Sequence, residues 1–369
     1  MFKKLIKNLF NANKAEANYF SFEKHREKKE QALSSDPSTA ERISPHLKLE
    51  SYTPVSLEDK VQHEFFSYLF GTSSVNHTSD ELTDYVADKV SSLLAQPENV
   101  FNVLPPLPES LTELLEQLKN EEFDTELIVS SIEKEPLVVA KVIELANNSY
   151  YNRSGNEVIH LKKAFMLLGA QGLMEGVINA FVNQMTPMKK SYFKMYGAKI
   201  WEHSELSGRI SKELAKNTSL SENVTITYFG ALLSNLGDMI IYQLLIEAFS
   251  YVHPNCQPDT LAFRKLMSLN SKGLTYCIAR YWQLPNQLTE CLESQLSITD
   301  KNSLTLAQQQ SPVGALVYEA RLLAMLELMF EANAIDEELL ERANSLVSSS
   351  AAKFYILNLL NKDEENDLK

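Results

Sequence analysis

The chain has 369 residues, of which 44% are hydrophobic, enough for a substantial core in one large domain or two ordinary ones. Its 11 glycines and 13 prolines are too few for collagen-like, linker-dominated or turn-rich all-β proteins, so the composition predicts helices. A charged content of 22% excludes wholesale disorder, and the formal net charge of -13 makes nucleic acid an unfavourable partner.

The first ten residues have the pattern of a short amphipathic helix with a basic face. Its apolar positions are Phe2, Leu5, Ile6, Leu9 and Phe10, and its basic ones are Lys3, Lys4 and Lys7. Such a helix either folds back onto its own protein, or binds weakly to an anionic membrane surface or in the groove of a partner. The mixed charges of 15–33 predict a solvated helix, and 34–53 predicts a loose connection. Residues 1–55 are therefore a helical extension and linker.

Two helices are predicted over residues 56–100, before the main body of the protein. Ser56 is a good N-cap for a helix that runs to Phe70 and ends at Gly71. Thr78 and Glu81 have the spacing of a capping box for a second helix. The prolines that follow exclude helix and predict an extended segment, so we place a domain boundary near residue 100.

The main body, residues 101–300, has helical periodicity throughout. Asp124 is a good N-cap for 125–133, and Pro136 opens a helix whose apolar residues at 137–145 predict a central buried position. Further helices are predicted at 161–168 with Gly169 as its stop, 172–184, 189–216, 224–249, 259–269, 271–283 and 285–293. A polar break at 299–311 precedes helices predicted at 312–332, 336–346 and 348–360. Residues 301–369 are therefore a C-terminal helical group that packs on the body and ends in an acidic tail. No segment alternates like a strand for long, so the predicted fold is all-α.

The sequence predicts a cytoplasmic location. The most apolar stretch, 230–252, is interrupted by polar residues at 234, 235, 238, 243 and 247 that would be costly in a bilayer, and the N-terminus lacks the apolar centre of a secretory signal. The three cysteines are odd in number and have neither disulfide nor zinc spacing. They are predicted to be reduced and mostly buried.

Five short motifs in order resemble the HDOD family, helical signalling domains related to the HD metal-dependent phosphohydrolases. The likeness spans roughly 101–295 and implies an HD-like multi-helix bundle, here with extra N-terminal helices. The matching segments are Leu104-Pro105-Pro106-Leu107-Pro108, Glu135-Pro136-Leu137 leading to Leu145-Ala146-Asn147-Asn148-Ser149, Ala164 with Leu167-Leu168-Gly169, Trp201-Glu202-His203-Ser204, and Trp282-Gln283-Leu284-Pro285.

The resemblance also shows at which positions the ligands of a metal site are expected. HD phosphohydrolases bind one or two metal ions through a His on one helix, an adjacent His-Asp pair on a later helix and a further Asp. His203 matches the first His, but Ser234-Asn235 stands where the pair is expected, with Asp238 one turn beyond. We therefore predict no catalytic residues, metal or cofactor, with His203 and Asp238 as relics of an ancestral site.

The resulting interpretation is a non-catalytic scaffold that regulates signal transduction by binding other signalling proteins. The resemblance implies bacterial regulation, commonly alongside phosphorelay or cyclic-dinucleotide pathways. The alternative is a metal-dependent phosphohydrolase acting on a nucleotide or cyclic dinucleotide, with His203 and Asp238 as ligands.

A third hypothesis is an RNA or membrane-surface adaptor that uses basic residues. One basic stretch has aromatic residues among its lysines, which are Lys189, Lys190, Lys194 and Lys199. Proteins that bind single-stranded nucleic acid use this combination of positive charge and aromatic stacking. However, Phe193, Tyr196 and Ile200 share one predicted helical face, so core packing explains the aromatics and solvation explains the lysines. Together with the acidic net charge, this makes nucleic acid an unexpected partner.

Overall fold

The computed structural model describes residues 2–10, 56–71, 81–120, 124–149, 151–153, 155–186, 193, 195–252 and 260–366. Several predictions concern residues outside these ranges: the helix at 15–33, the connection at 34–53, the Thr78 cap, the basic residues at 189, 190 and 194, and Cys256.

Every regular element in the described ranges is a helix, which confirms the predicted all-α class. In chain order these are α1 (Lys3–Leu9), α2 (Leu57–Phe70), α3 (Glu81–Leu94), α4 (Glu98–Phe101), α5 (Glu109–Asn120), α6 (Thr125–Glu133), α7 (Pro136–Ala146), α8 (Leu161–Met185), α9 (Tyr196–Lys216), α10 (Val224–Leu233), α11 (Leu236–Val252), α12 (Thr260–Tyr281), α13 (Asn286–Ser297), α14 (Lys301–Gln310), α15 (Pro312–Glu331), α16 (Glu337–Ala343) and α17 (Ser350–Asn366). Short 3₁₀ turns lie at Ser221–Asn223 and Asn344–Leu346.

The chain forms two compact units, each assembled from separated segments. The first unit contains 1–104, 187–197 and 237–274, and the second contains 105–186, 198–236 and 275–369. The domain boundaries proposed from sequence at 55, 100 and 300 stay predictions.

In the first unit, α1 is held by its apolar face. Phe2, Ile6 and Phe10 are buried, and the Phe10 ring lies 5.9 Å from that of Tyr85, whereas the lysines face solvent. This is the folded-back arrangement, and contact between residues 1–10 and a membrane stays a prediction. The capping box of α2 is present, formed by Ser56 and Asp59.

An aromatic cluster forms the centre of the first unit. The rings of Tyr196 and Tyr242 stack 3.8 Å apart, and Phe70 and Phe263 pack around them. Phe193 belongs to this cluster with a left-handed φ of 44°, so the predicted helix at 189–216 was wrong at its start. The helix instead begins at Tyr196, because Phe193 leaves helical geometry where its ring contacts Phe70 and Phe263.

The second unit is organised around α15. This helix is buried along almost its full length and contacts α10, α13, α14 and α17. The prediction of a central buried helix at 137–147 was therefore wrong: α7 packs one face on α8, but Leu137 is 68% exposed. A helix whose sequence is apolar on all sides is therefore not necessarily the helix that the others surround.

Local signals in the second unit were more reliable. The Asp124 side chain caps α6, and Pro136 occupies the first turn of α7. Gly169 interrupts α8 at φ 65° and ψ -174°, a conformation that is essentially restricted to glycine, so the predicted break is confirmed. The predicted polar break at 299–311 was wrong, because Asp300 and Ser303 form a capping box that starts α14.

Two stretches are long and apolar enough to cross a membrane by length and composition, Leu161–Met185 and Ser221–Val252. In their most apolar windows, 67% and 94% of the residues are buried inside the protein. Gly169 breaks the first stretch, and Ser234-Asn235 separates α10 from α11 in the second. The predicted single helix at 224–249 is therefore two helices, and core packing accounts for the apolar character of both stretches.

Candidate functional site

The residue expected to be a metal ligand, His203, lies in a buried polar network in the second unit. Its ring is 0% exposed, and Nδ1 lies 2.9 Å from Nδ2 of Asn235 while Nε2 lies 3.0 Å from the carbonyl oxygen of Arg321. Nδ2 of Asn235 also donates to Ser204 Oγ at 2.9 Å. Nε of Arg321 donates to Asn235 Oδ1 at 3.1 Å. We call these four residues the His203 network.

A single protonation state satisfies the His203 network. Because the Asn235 amide donates to Nδ1, the proton of a neutral imidazole is on Nε2, where it is donated to the Arg321 carbonyl. Burial, followed by the nearby positive charge of Arg321, lowers the pKa of His203 to about 3. The imidazole is therefore neutral near pH 7, with both nitrogens in hydrogen bonds.

This geometry does not fit a divalent cation. A histidine ligand must present an unshared nitrogen lone pair, but Nδ1 already accepts a hydrogen bond and Nε2 carries the proton. The neighbouring Arg321 guanidinium is itself a cation, and Ser234-Asn235 supplies no carboxylate. Across the described ranges, no three or more His, Cys, Asp or Glu side chains are grouped so as to hold a metal.

The second relic candidate, Asp238, lies in the first unit near the start of α11. It is buried and accepts a hydrogen bond from the Ser271 hydroxyl, and its backbone carbonyl accepts one from the Tyr196 hydroxyl at 3.4 Å. The structure thus brings His203 together with Asn235 and Arg321, and it places Asp238 in a hydrogen-bonded position within the other unit.

The other motif positions have structural environments. Pro105 and Pro108 lie in the extended approach to α5, and Pro285 precedes α13. Asn147 ends α7, where Nδ2 donates to the carbonyls of Ile143 and Val158 and Oδ1 accepts from the Val158 amide. The remaining motif residues are Trp201, half-buried on α9, Gly169 at the break in α8, and Trp282, whose ring packs edge-on against Phe181 at 5.2 Å.

Sequence reasoning missed Arg321, which completes the His203 network. It is 8% exposed on α15, and the nearby Glu319 is also buried, where its carboxylate accepts from the amides of Ser348 and Ser349 at 2.6 and 2.8 Å. Charged residues are seldom buried without partners. The pair Glu319 and Arg321 inside an otherwise apolar run was the available signal.

Comparison with known families agrees with the motifs and the helical fold. The HDOD domain model matches residues 104–297, just over half of the chain. The chain therefore belongs to the HDOD domain family. No curated protein sequence matches it.

Solved structures with a similar course of chain include an HDOD domain protein of unknown function from Geobacter sulfurreducens. It has a TM-score of 0.50 and 16% identity, over 75% of this chain and 96% of that one. A protein from Marinobacter aquaeolei VT8, provisionally named for signal transduction, has a TM-score of 0.46 and 14% identity over 83% and 64%. A provisionally named phosphohydrolase from Shewanella amazonensis SB2B has a TM-score of 0.48 and 19% identity, over 75% of this chain and 93% of that one. Because the sequence identity is only 16%, the comparison with the Geobacter protein supports a shared fold alone.

Proposed function

We propose that this HDOD protein is a non-catalytic scaffold that regulates signal transduction by binding other proteins. The observation that carries the proposal is the His203 network, in which the position of the family's metal-binding pair is occupied by Asn235 bonded to His203 and Arg321. A water molecule cannot be activated for phosphoester hydrolysis without a metal ion or an equivalent base. The network supplies neither, because its histidine is neutral, buried and hydrogen-bonded at both nitrogens.

The surface of the second unit supports a role in protein binding. Several large apolar side chains there are at least 62% exposed, although burying them would be favourable by about 1.5 to 3 kcal/mol each. These side chains are Leu137, Ile159, Met166 and Phe354. Exposed Met and aromatic side chains are typical contributors to protein interfaces.

The first prediction concerns metal and catalysis. Purified full-length protein is expected to hold Mn, Fe, Zn and Ni far below one ion per chain by mass spectrometry, and to hydrolyse neither cyclic dinucleotides nor nucleoside phosphates with any of these metals added. His203→Ala serves as the comparison, since a true ligand would lose metal in that variant. Stoichiometric metal that disappears in His203→Ala, or metal-dependent hydrolysis, would favour the phosphohydrolase.

The second prediction concerns partner binding. Met166 is 76% exposed on α8, so Met166→Glu is expected to weaken capture of a specific partner from native cells by tenfold or more, since it puts a charge into an apolar contact. Gln309→Glu on α14 adds the same charge at an exposed polar position and serves as the matched control. Capture measured by quantitative mass spectrometry that is the same for both variants would exclude this surface.

A further inference from the structure

A cavity of about 490 Å³ opens in the second unit, away from the atoms of the His203 network. Its walls come from α7 and the segment that follows it, α8, α9, α10, α15 and α17, and Tyr228 belongs to the lining. The Tyr228 ring lies so close to Gly208 that a Cβ there would approach within 2.9 Å of it. The volume is in the range of small-molecule sites.

The charged side chains of the lining that are buried or half-buried are mostly acidic. Glu175 is buried, where it forms an ion pair with Lys212 and accepts a hydrogen bond from the Tyr151 hydroxyl at 2.8 Å. Glu327 is half-buried and accepts from the Tyr355 hydroxyl. Lys212 is the one cation among the cavity's half-buried side chains, so the interior keeps an excess of negative charge.

One buried acceptor in the cavity has no partner among the residues that the structure describes. The Asn179 amide donates to the Tyr228 hydroxyl at 2.9 Å, but its Oδ1 is buried without a hydrogen bond. The lining also contains the half-buried carboxylate of Glu205. Buried acceptors without partners are uncommon in proteins and call for a specific explanation.

Asn179 and Glu205 both act on Tyr228. Asn179 is directly bonded to its hydroxyl, and burial, followed by the negative charges of Glu175 and Glu205, holds the pKa of Tyr228 well above its usual range. The Tyr228 hydroxyl thus marks a part of the cavity where the Asn179 amide is in contact and the field of the carboxylates is negative. The tyrosine rings also suit a cation: Nζ of Lys212 already lies 5.9 Å from the centre of the Tyr151 ring.

We propose that this cavity binds a small organic cation, an alkylammonium or guanidinium compound whose N–H groups donate to Glu205 and Asn179. An anion is disfavoured, because it would face the interior carboxylates, while the exposed cations Arg209 and Lys216 are solvated. Such a site would make the second unit responsive to a metabolite. This goes beyond the scaffold role and does not depend on it.

The test is isothermal titration of the full-length protein in 0.15 M salt with putrescine, spermidine and agmatine, and with glutarate and inorganic phosphate as anionic probes. We expect at least one of the cations to bind one per chain with a Kd below about 1 mM, and Glu205→Gln to weaken it at least tenfold, since a charge-assisted hydrogen bond is lost. Asn179→Ser is expected to weaken it severalfold and provides a second variant if Glu205→Gln does not fold.

Glu341→Gln is the matched control, because it removes the same charge from an exposed position on α16. It should leave the affinity for the cation unchanged within twofold. Equal weakening in Glu341→Gln and Glu205→Gln would show diffuse attraction to an acidic protein and would overturn the proposal. Binding of the anions alone, or of none of the probes, would overturn it as well.

Discussion

Asn235→Ala is expected to lower the free energy of unfolding by about 3 to 5 kcal/mol, the largest effect of any polar substitution in the second unit. Its amide donates to His203 Nδ1 and Ser204 Oγ and accepts from Arg321 Nε. Removing it leaves two buried polar groups short of a partner and the Arg321 guanidinium without one of its acceptors. Uncompensated buried charge is the costliest of these losses.

Urea denaturation followed by circular dichroism at pH 7 measures this effect. Asn302→Ala is the matched control, because Asn302 is exposed on α14 and its loss should change stability by less than about 0.5 kcal/mol. Asn235→Asp should cost less than Asn235→Ala, since the carboxylate still accepts from Arg321 and favours a protonated His203. Equal stability of Asn235→Ala and Asn302→Ala would mean that the network contributes nothing.

Features whose causes lie within a few residues could be predicted from the sequence. The Ser56 cap, Pro136 in a first turn and the break at Gly169 depend on backbone geometry that one residue imposes on its neighbours. Asn147 acts over a slightly longer range, because its side chain bonds the Ile143 carbonyl one turn back and the backbone of Val158 eleven positions on. The resemblance added the fold, because its five motifs coincide with such local features.

Features set by distant contacts could not be predicted. Arg321 lies 118 positions from His203, so nothing in either motif indicates that they meet. The half-exposed α7 and the buried α15 are both apolar sequences, and only the assembled unit determines which one the others cover. Likewise, the capping box of α14 uses Ser303 in place of the usual glutamate or glutamine, which hides the start of a helix in a polar segment.

A second consequence of the His203 network is a dependence of stability on pH. The folded-state pKa of His203 is lowered to about 3, whereas an unfolded chain protonates histidine near pH 6.5. Between these values the unfolded state binds a proton that the folded state excludes, so this group makes stability rise with pH. Acidification from pH 6.5 toward pH 3 therefore destabilises the protein through His203, and the effect levels off below pH 3.

Comparing the wild type with His203→Gln isolates this contribution from that of the carboxylates, which titrate in both proteins. The wild type is expected to lose about 2 kcal/mol more stability than His203→Gln between pH 6.5 and pH 4.5, approaching one proton, or about 1.4 kcal/mol, per pH unit. His160→Gln, which removes an exposed imidazole, should keep the wild-type dependence. Stability is measured by urea denaturation at each pH. If the curves of stability against pH were parallel for the wild type and His203→Gln, His203 would have to be solvated and able to bind a proton in the folded protein. Its nitrogen would then also be available to a metal.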